Sequence, residues 1–493
     1  MKVLLGNPPW AAGSRRGVRA GSRWPFTVKL EKEMDKPRYI PFPFFLAYST
    51  AVLEADGHDV KLIDGIADGI TTDEFLSEVK KFSPDLAVME TSTPSIDVDL
   101  ETARSISEMG AQVAFCGPHA SALSEVIMRE NTFIDYVLVG EYDYTLRDLA
   151  ESLEKNKSLK DVSGLLYRDA GRMVVNERRP LIKDIDALPW PARHQLNMMN
   201  YVDGFAGMPL PSLQMWASRG CPYQCIFCLW PRVMYGGSSY RPRDPVDIVE
   251  EMSAMIGKYG FKSVYFDDDT FNIGADRISR ICGEIKGHGI DVPWAVMARA
   301  DTSDYKMLDE MADAGLYAIK YGVESGVQEL VDNAHKNLDL GRVEKTVEYT
   351  KRLGVKTHLT FTFGLPGETW DTVRKTMDFA FRLEPDSVQF SIVTPFPGTE
   401  YYDTLDGQGC ILSKNWRDYD GTGSAVFKTD AMSQDDLRKA CEMAQEEWVY
   451  RKRRLSSIPG MFYSLSRRDG LLPTALRFAR EAPKYVKHRL DGF

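Results

Sequence analysis

Ser218-Arg219-Gly220-Cys221-Pro222-Tyr223-Gln224-Cys225-Ile226-Phe227-Cys228 places three cysteines within eight residues, spaced C-x3-C-x2-C. Thiolates are the ligands that iron–sulfur clusters and zinc prefer, and a short loop lets several of them converge on one centre. A closed structural zinc site asks for a fourth protein ligand, normally from a second C-x2-C pair. No second pair follows, because Cys116, Cys282, Cys410 and Cys441 stand apart. A three-thiolate set implies a [4Fe-4S] cluster whose remaining iron is open to a small molecule. The competing readings are buried thiols that serve only as core hydrophobes and a partial zinc site.

From about Leu213 to Tyr402 the chain resembles the radical S-adenosylmethionine (SAM) superfamily, on the spacing of Cys221, Cys225 and Cys228. The resemblance implies that these cysteines hold the cluster and that its open iron chelates the amino and carboxylate groups of SAM. Reduction then cleaves SAM to a 5′-deoxyadenosyl radical. It also implies that Phe227, inside the motif, lies at the cofactor.

Outward from the cysteines, strand and helix patterns alternate. Strands are expected at Gln214–Trp216, Ser263–Phe266, Trp294–Ala298, Tyr317–Gly322, Lys356–Phe363 and Ser387–Ile392, each followed by a helical pattern or a turn. Six such units define a partial (β/α)6 TIM-type barrel over residues 213–405, with its active site at the carboxyl ends of the strands. Those ends carry Asp267, Asp268, Asp269, Arg299, Glu324, Gly364 and Gly367. By family likeness the three aspartates meet the SAM amino group, and Arg299 and Glu324 its ribose, amino or carboxylate groups. Gly364 and Gly367 would let the backbone approach the adenine. The structural alternatives are Asp268 as a helix cap and Arg299 paired with Glu324.

Residues 1–150 read as strand, helix, strand, helix from Lys2-Val3-Leu4-Leu5 onward, the pattern of a doubly wound, Rossmann- or flavodoxin-like parallel sheet. Its strand ends carry Asn7, Asp64, Ser92, Gly117, His119, Gly140 and Glu141. Gly57-His58-Asp59-Val60, Cys116-Gly117-Pro118-His119-Ala120 and Val139-Gly140-Glu141 make this segment similar to the cobalamin (B12)-binding domain that precedes many radical SAM enzymes. The D-x-H-x-x-G signature for a cobalt-ligating histidine is absent, so either the cobalt lacks a protein histidine or the domain is an empty scaffold. The insert after the first strand contains Arg19, Arg23 and Trp24, which form an anion-recognition or substrate loop or else a solvated one.

Residues 151–212 read as a connector with a small hairpin over Leu165–Val175, and 406–493 as a helical C-terminal extension. Residues 451–493 hold eleven Lys and Arg against three Asp and Glu, within a chain of net charge −10. Such a tail either lies on an anionic membrane surface at the inner face or packs on its own protein. The acidic total argues against nucleic acid, and seven cysteines without a paired framework suit a reducing cytoplasm. The reading is thus a radical SAM enzyme, B12-dependent, that methylates an unactivated carbon of a small molecule or lipid. It would draw electrons from a flavodoxin- or ferredoxin-type donor. The alternatives are cyclisation, oxidation or C–C coupling without methyl transfer, and a non-catalytic iron–sulfur or corrinoid sensor.

Overall fold

The computed structural model describes residues 1–12, 15–18, 25–29, 39–421, 424–452 and 475. Arg19, Arg23, Trp24 and nearly all of the basic tail lie outside these residues.

The first layer grows from apolar strands separated by amphipathic helices. β1 (Lys2–Asn7), α1 (Phe44–Ala55), β2 (Asp59–Asp64), α2 (Thr72–Phe82), β3 (Leu86–Glu90), α3 (Ile96–Glu108), β4 (Gln112–Cys116), β5 (Tyr136–Leu138) and α4 (Asp143–Glu154) follow one another along the chain. β3 is buried at every position, as expected of a strand covered by helices on both faces. α2 begins at a capping box, in which Thr71 and Glu74 satisfy each other's backbone N–H groups. The parallel order is 2-1-3-4-5, which puts the topological switch between β1 and β3.

The hairpin expected in the connector instead extends this sheet. β6 (Leu165–Asp169) pairs antiparallel with β5, and β7 (Arg172–Val175) with β6, making seven strands. The insert, read as a loop, contains a small antiparallel sheet of Ala11–Ala12, Arg15–Val18 and Phe26–Lys29.

The second sheet has six parallel strands in chain order. They are β8 (Ser212–Met215), β9 (Ser263–Phe266), β10 (Trp294–Ala298), β11 (Leu316–Glu324), β12 (Lys356–Phe363) and β13 (Ser387–Ile392). The intervening helices are α5 (Pro245–Tyr259), α6 (Ala275–Gly287), α7 (Tyr305–Asp313), α8 (Leu340–Arg352) and α9 (Trp370–Leu383). α5 shows the sequence logic of its ends: the Asp244 side chain caps Val246 N, Pro245 sits where no N–H is needed, and left-handed Gly260 stops the helix. The sheet is the partial barrel expected from the alternation. α10 (Gln434–Lys452) lies against its last strand, where Gln445 Nε2 donates to Phe390 O at 3.0 Å. Among the described residues no helix is long and apolar enough to cross a membrane.

Candidate active site at the carboxyl ends of the barrel strands

The cysteine loop is closed at its base by a two-residue ribbon. Ser218 and Arg219 pair antiparallel with Pro242 and Arg241. Inside that closure Ser239 N donates to Cys221 O at 3.1 Å. Gly220 adopts φ +90°, and a Cβ there would meet Ser239 O at 2.4 Å, so the loop closes only over a glycine.

The acidic run after β9 holds this base in place. Asp268 is fully buried, and its Oδ1 accepts from Ala217 N at 2.9 Å and Ser218 N at 2.7 Å. Asp269 Oδ2 accepts from Gly220 N at 3.0 Å. Both carboxylates thus fix backbone immediately before Cys221, rather than capping a helix. Asp267 lies beside them at 6% exposure. The rest of the loop is tied further along the barrel, through Ile226 N to Ala334 O and Tyr401 N to Ile226 O, each at 3.1 Å. Phe227 is buried within the loop.

Near the thiols are charged side chains from the ends of β10 and β11 and from the connection before α8. Arg299, after β10, makes a two-pronged pair with Asp301 at 2.9 and 2.7 Å and lies over the Tyr223 ring at 3.5 Å. Glu324, at the end of β11, takes a left-handed φ of +72° at a register shift. Its oxygens accept from Lys336 Nζ at 2.9 Å and Thr362 Oγ1 at 3.0 Å. Arg299 and Glu324 therefore do not pair with each other, contrary to the structural alternative. Burial raises the Cys225 thiol pKa, and the charges of Lys336 and Arg299 oppose that rise. Burial likewise pushes the Cys221 thiol up to about 12. A neighbouring cation or metal is what makes such a thiol a thiolate.

Gly364 and Gly367 stand after β12, both at positive φ. The space beside Gly364 is taken by the Phe427 ring, which a Cβ would meet at 2.7 Å, so this glycine makes room for the C-terminal extension. Its N–H donates to Glu368 Oε2 at 2.6 Å, and its carbonyl accepts from Tyr401 OH.

At the front sheet the expected ligand residues divide. Asn7 and Asp64 bond each other at 3.0 Å, and Asp64 also accepts from Ile66 N, Ala67 N and Tyr201 OH. This is a structural cap, with the Asp64 carboxyl raised to about 6 by burial. Glu141 is likewise occupied. It accepts from Arg219 Nη1 at 2.8 Å, Arg241 Nη1 at 2.7 Å and Ile182 N at 3.0 Å. Asp143 adds a second carboxylate to Arg219 at 2.7 Å. Glu141 thus clamps the front sheet to the base of the cysteine loop. Gly140 belongs to the same joint, where a Cβ would meet Met234 O at 2.9 Å.

Ser92, Gly117 and His119 line the carboxyl ends of β3 and β4. Ser92 bonds Ser95 at 2.8 Å between hydroxyls, and Gly117 turns back against Thr91 O. His119 is 2% exposed, with Nδ1 on Thr93 Oγ1 at 3.2 Å and its ring edge-on to Trp416. Burial drops its pKa to about 3, so the ring is neutral.

The residues suit two groups. Three thiols in one pinned loop, with Arg299 and Lys336 beside them, suit an anionic iron–sulfur cluster in donor chemistry. Among the described residues no three side chains have already converged as a metal-holding set. The strand ends Thr91–Ser95 and Gly117 are small and hydroxyl-rich, which suits a large polar ring in donor chemistry, and Trp416 packs edge-on to His119 beside them.

Residues 217–380 match the Radical SAM superfamily and residues 34–150 the B12 binding domain. "Uncharacterized methyltransferase PH0819" of Pyrococcus horikoshii is 31% identical over 449 residues, spanning 90% of this chain and 91% of that one. Two solved structures share the fold. OxsB, described as a cobalamin-dependent S-adenosylmethionine radical enzyme, superposes with TM-score 0.71 at 18% identity over 96% of this chain and 72% of its own. TsrM of Kitasatospora setae, a radical S-adenosylmethionine methyltransferase, superposes with TM-score 0.64 at 20% identity over 83% and 75%. The chain belongs to the radical SAM superfamily, in the group that carries a B12-binding domain in front of the barrel. Its cofactors are accordingly a [4Fe-4S] cluster, SAM and cobalamin.

Sequence reasoning missed Arg219, Tyr223, Asp301, Lys336 and Thr362. Thr362 and Asp301 sat next to residues already singled out. Lys336 lies in the short connection between the helix Gln328–Asn333 and α8, with no period to mark it, and its partner Glu324 is twelve residues back.

Proposed function

We propose that this protein is a cobalamin-dependent radical SAM methyltransferase acting on an unactivated carbon of a small molecule. The cluster is held by Cys221, Cys225 and Cys228. When bound, the cluster and SAM supply a 5′-deoxyadenosyl radical, and cobalamin carries the methyl group. The chain's own residues position and shield these groups. Arg299, Glu324 and Lys336 flank the cysteine loop and would orient the polar ends of SAM. Asp268 and Asp269 keep the loop's base rigid. Ser92, Thr93 and Gly117 would bear the corrin, with no histidine required at the cobalt. A flavodoxin- or ferredoxin-type protein would supply the electrons.

The observation that carries this reading is the buried clamp of Arg219 on Glu141 and Asp143. It joins the cluster loop to the front sheet with no flexible segment between, as chemistry shared by two cofactors needs. The test is anaerobic incubation of reconstituted protein with SAM, cobalamin and a strong reductant. Methyl transfer predicts both 5′-deoxyadenosine and S-adenosylhomocysteine, and Cys225→Ala should yield no 5′-deoxyadenosine. Only 5′-deoxyadenosine from the wild type would favour radical chemistry without methyl transfer.

A further inference from the structure

The concave face of the second sheet is polar where a closed barrel is packed with bulky branched side chains. Across its middle the register aligns Met297, Lys320, His358 and Ser387, and one layer higher Gly322, Thr360 and Gln389. Thr362 and Ser391 follow nearer the cysteine loop, with their hydroxyls 3.4 Å apart. The alternate residues Leu359, Phe361, Phe363 and Phe390 are buried against the helices, so the polar set faces inward. Lys320 proves the direction. Its Nζ stands 5.4 Å from the Tyr265 ring centroid on β9, a strand not adjacent to β11, so the contact crosses the lumen.

The floor beneath is closed. Phe205 lies under Lys320 at 5.0 Å, and the backbone of Ala206 and Gly207 accepts from Lys356 Nζ at 3.1 Å and Tyr317 OH at 3.3 Å. Lys320 is half-buried and, among the described residues, no carboxylate lies within ion-pair distance of it, although the buried Asp203 carboxylate of the floor feels its charge. Thr360 and Thr362 are half-buried and Gln389 is exposed, so the lumen is open above the floor.

We infer that the lumen receives a polar substrate bearing an anionic group, carboxylate or phosphate, which pairs with Lys320 while Thr360 and Gln389 take its hydrogen bonds. This rests on the lumen being the substrate chamber of the proposed radical chemistry. A lipid or other apolar ligand would strip water from the ammonium and the hydroxyls and return nothing. An anion gains a charge-assisted bond in a half-dry site. The lipid substrate entertained from the basic tail is therefore disfavoured for this chamber.

The test uses the full-length, anaerobically reconstituted protein, with glycerol 3-phosphate and inorganic phosphate as anionic probes and dodecanol as the apolar one. Calorimetry should show an anionic probe binding to the wild type and to Lys320→Arg, and about tenfold more weakly to Lys320→Met. Dodecanol should not saturate the wild type. Reductive SAM cleavage is read on the wild-type samples, and far-ultraviolet circular dichroism and iron per chain should be the same in Lys320→Met as in the wild type. Equal anion binding by wild type and Lys320→Met, or tighter binding of dodecanol than of either anion, would overturn the inference. So would loss of iron or of the circular dichroism signal in Lys320→Met, which would mark Lys320 as structural. Anion binding that depends on Lys320, in a wild type that cannot cleave SAM, would support the lumen assignment and remove only the radical chemistry.

Discussion

Arg219 keeps its guanidinium at 2% side-chain exposure between Glu141 and Asp143, over the rings of Phe45 and Tyr48. Removing one partner of such a set leaves the others charged and dry, at a cost of about 3–5 kcal/mol. Arg219→Ala should therefore lower unfolding stability by that order in urea titration; a loss under about 1 kcal/mol would show the clamp to be dispensable. Glu368 offers a pH signature. Burial raises its carboxyl from 4.5 to about 7, against the N–H groups of Gly364 and Leu365. The folded state thus holds this proton more tightly than the unfolded chain. The associated stability is complete below about pH 4.5 and is lost as pH rises through 7. Glu368→Gln should flatten the decline between pH 5 and 8, measured as the midpoint of thermal unfolding; an unchanged slope would assign the decline elsewhere.

At the scale of elements, the cysteine loop is a ribbon-closed turn whose geometry depends on the absence of one side chain. Gly220→Ala places a Cβ 2.4 Å from Ser239 O. It should leave far-ultraviolet circular dichroism intact while iron incorporation falls several-fold; full iron content would mean that the loop tolerates reopening. The elements themselves were legible in the sequence. Alternation of strand and helix patterns located β9, β10, β12 and β13 and the open barrel they build, because each is a short apolar run between amphipathic helices. What escaped were pairings set by tertiary placement. Nothing local in Leu165–Val175 says that this hairpin joins the front sheet. The Val-Gly-Glu run at 139–141 looks the same whether Glu141 meets a ligand or Arg219. The three cysteines were readable because their chemistry is confined to one short loop. Lys336 and Lys320 were not, since each acquires meaning only opposite residues from other strands.

For the whole molecule, the C-terminal extension closes the circuit between the two sheets. Trp416 lies edge-on to His119, and Arg417 pairs with Asp97 at 2.8 Å. The extension also reaches the insert, where Gly421 N donates to Pro25 O at 3.2 Å. A segment placed over the strand ends of the front sheet should slow departure of a ligand held there. Trp416→Ala is thus expected to release cobalamin faster in a stopped-flow chase, and an unchanged rate would confine the segment to a packing role. Through these contacts the two sheets hold an iron–sulfur cluster and a cobalamin within one packed molecule. The measurement that tests this most directly is iron, sulfide and cobalt per chain after anaerobic reconstitution with cobalamin. The account predicts about four irons with about one cobalt, the iron lost in Cys225→Ala and the cobalt retained. A full cluster with no cobalt after reconstitution would contradict it and leave the front sheet as scaffold.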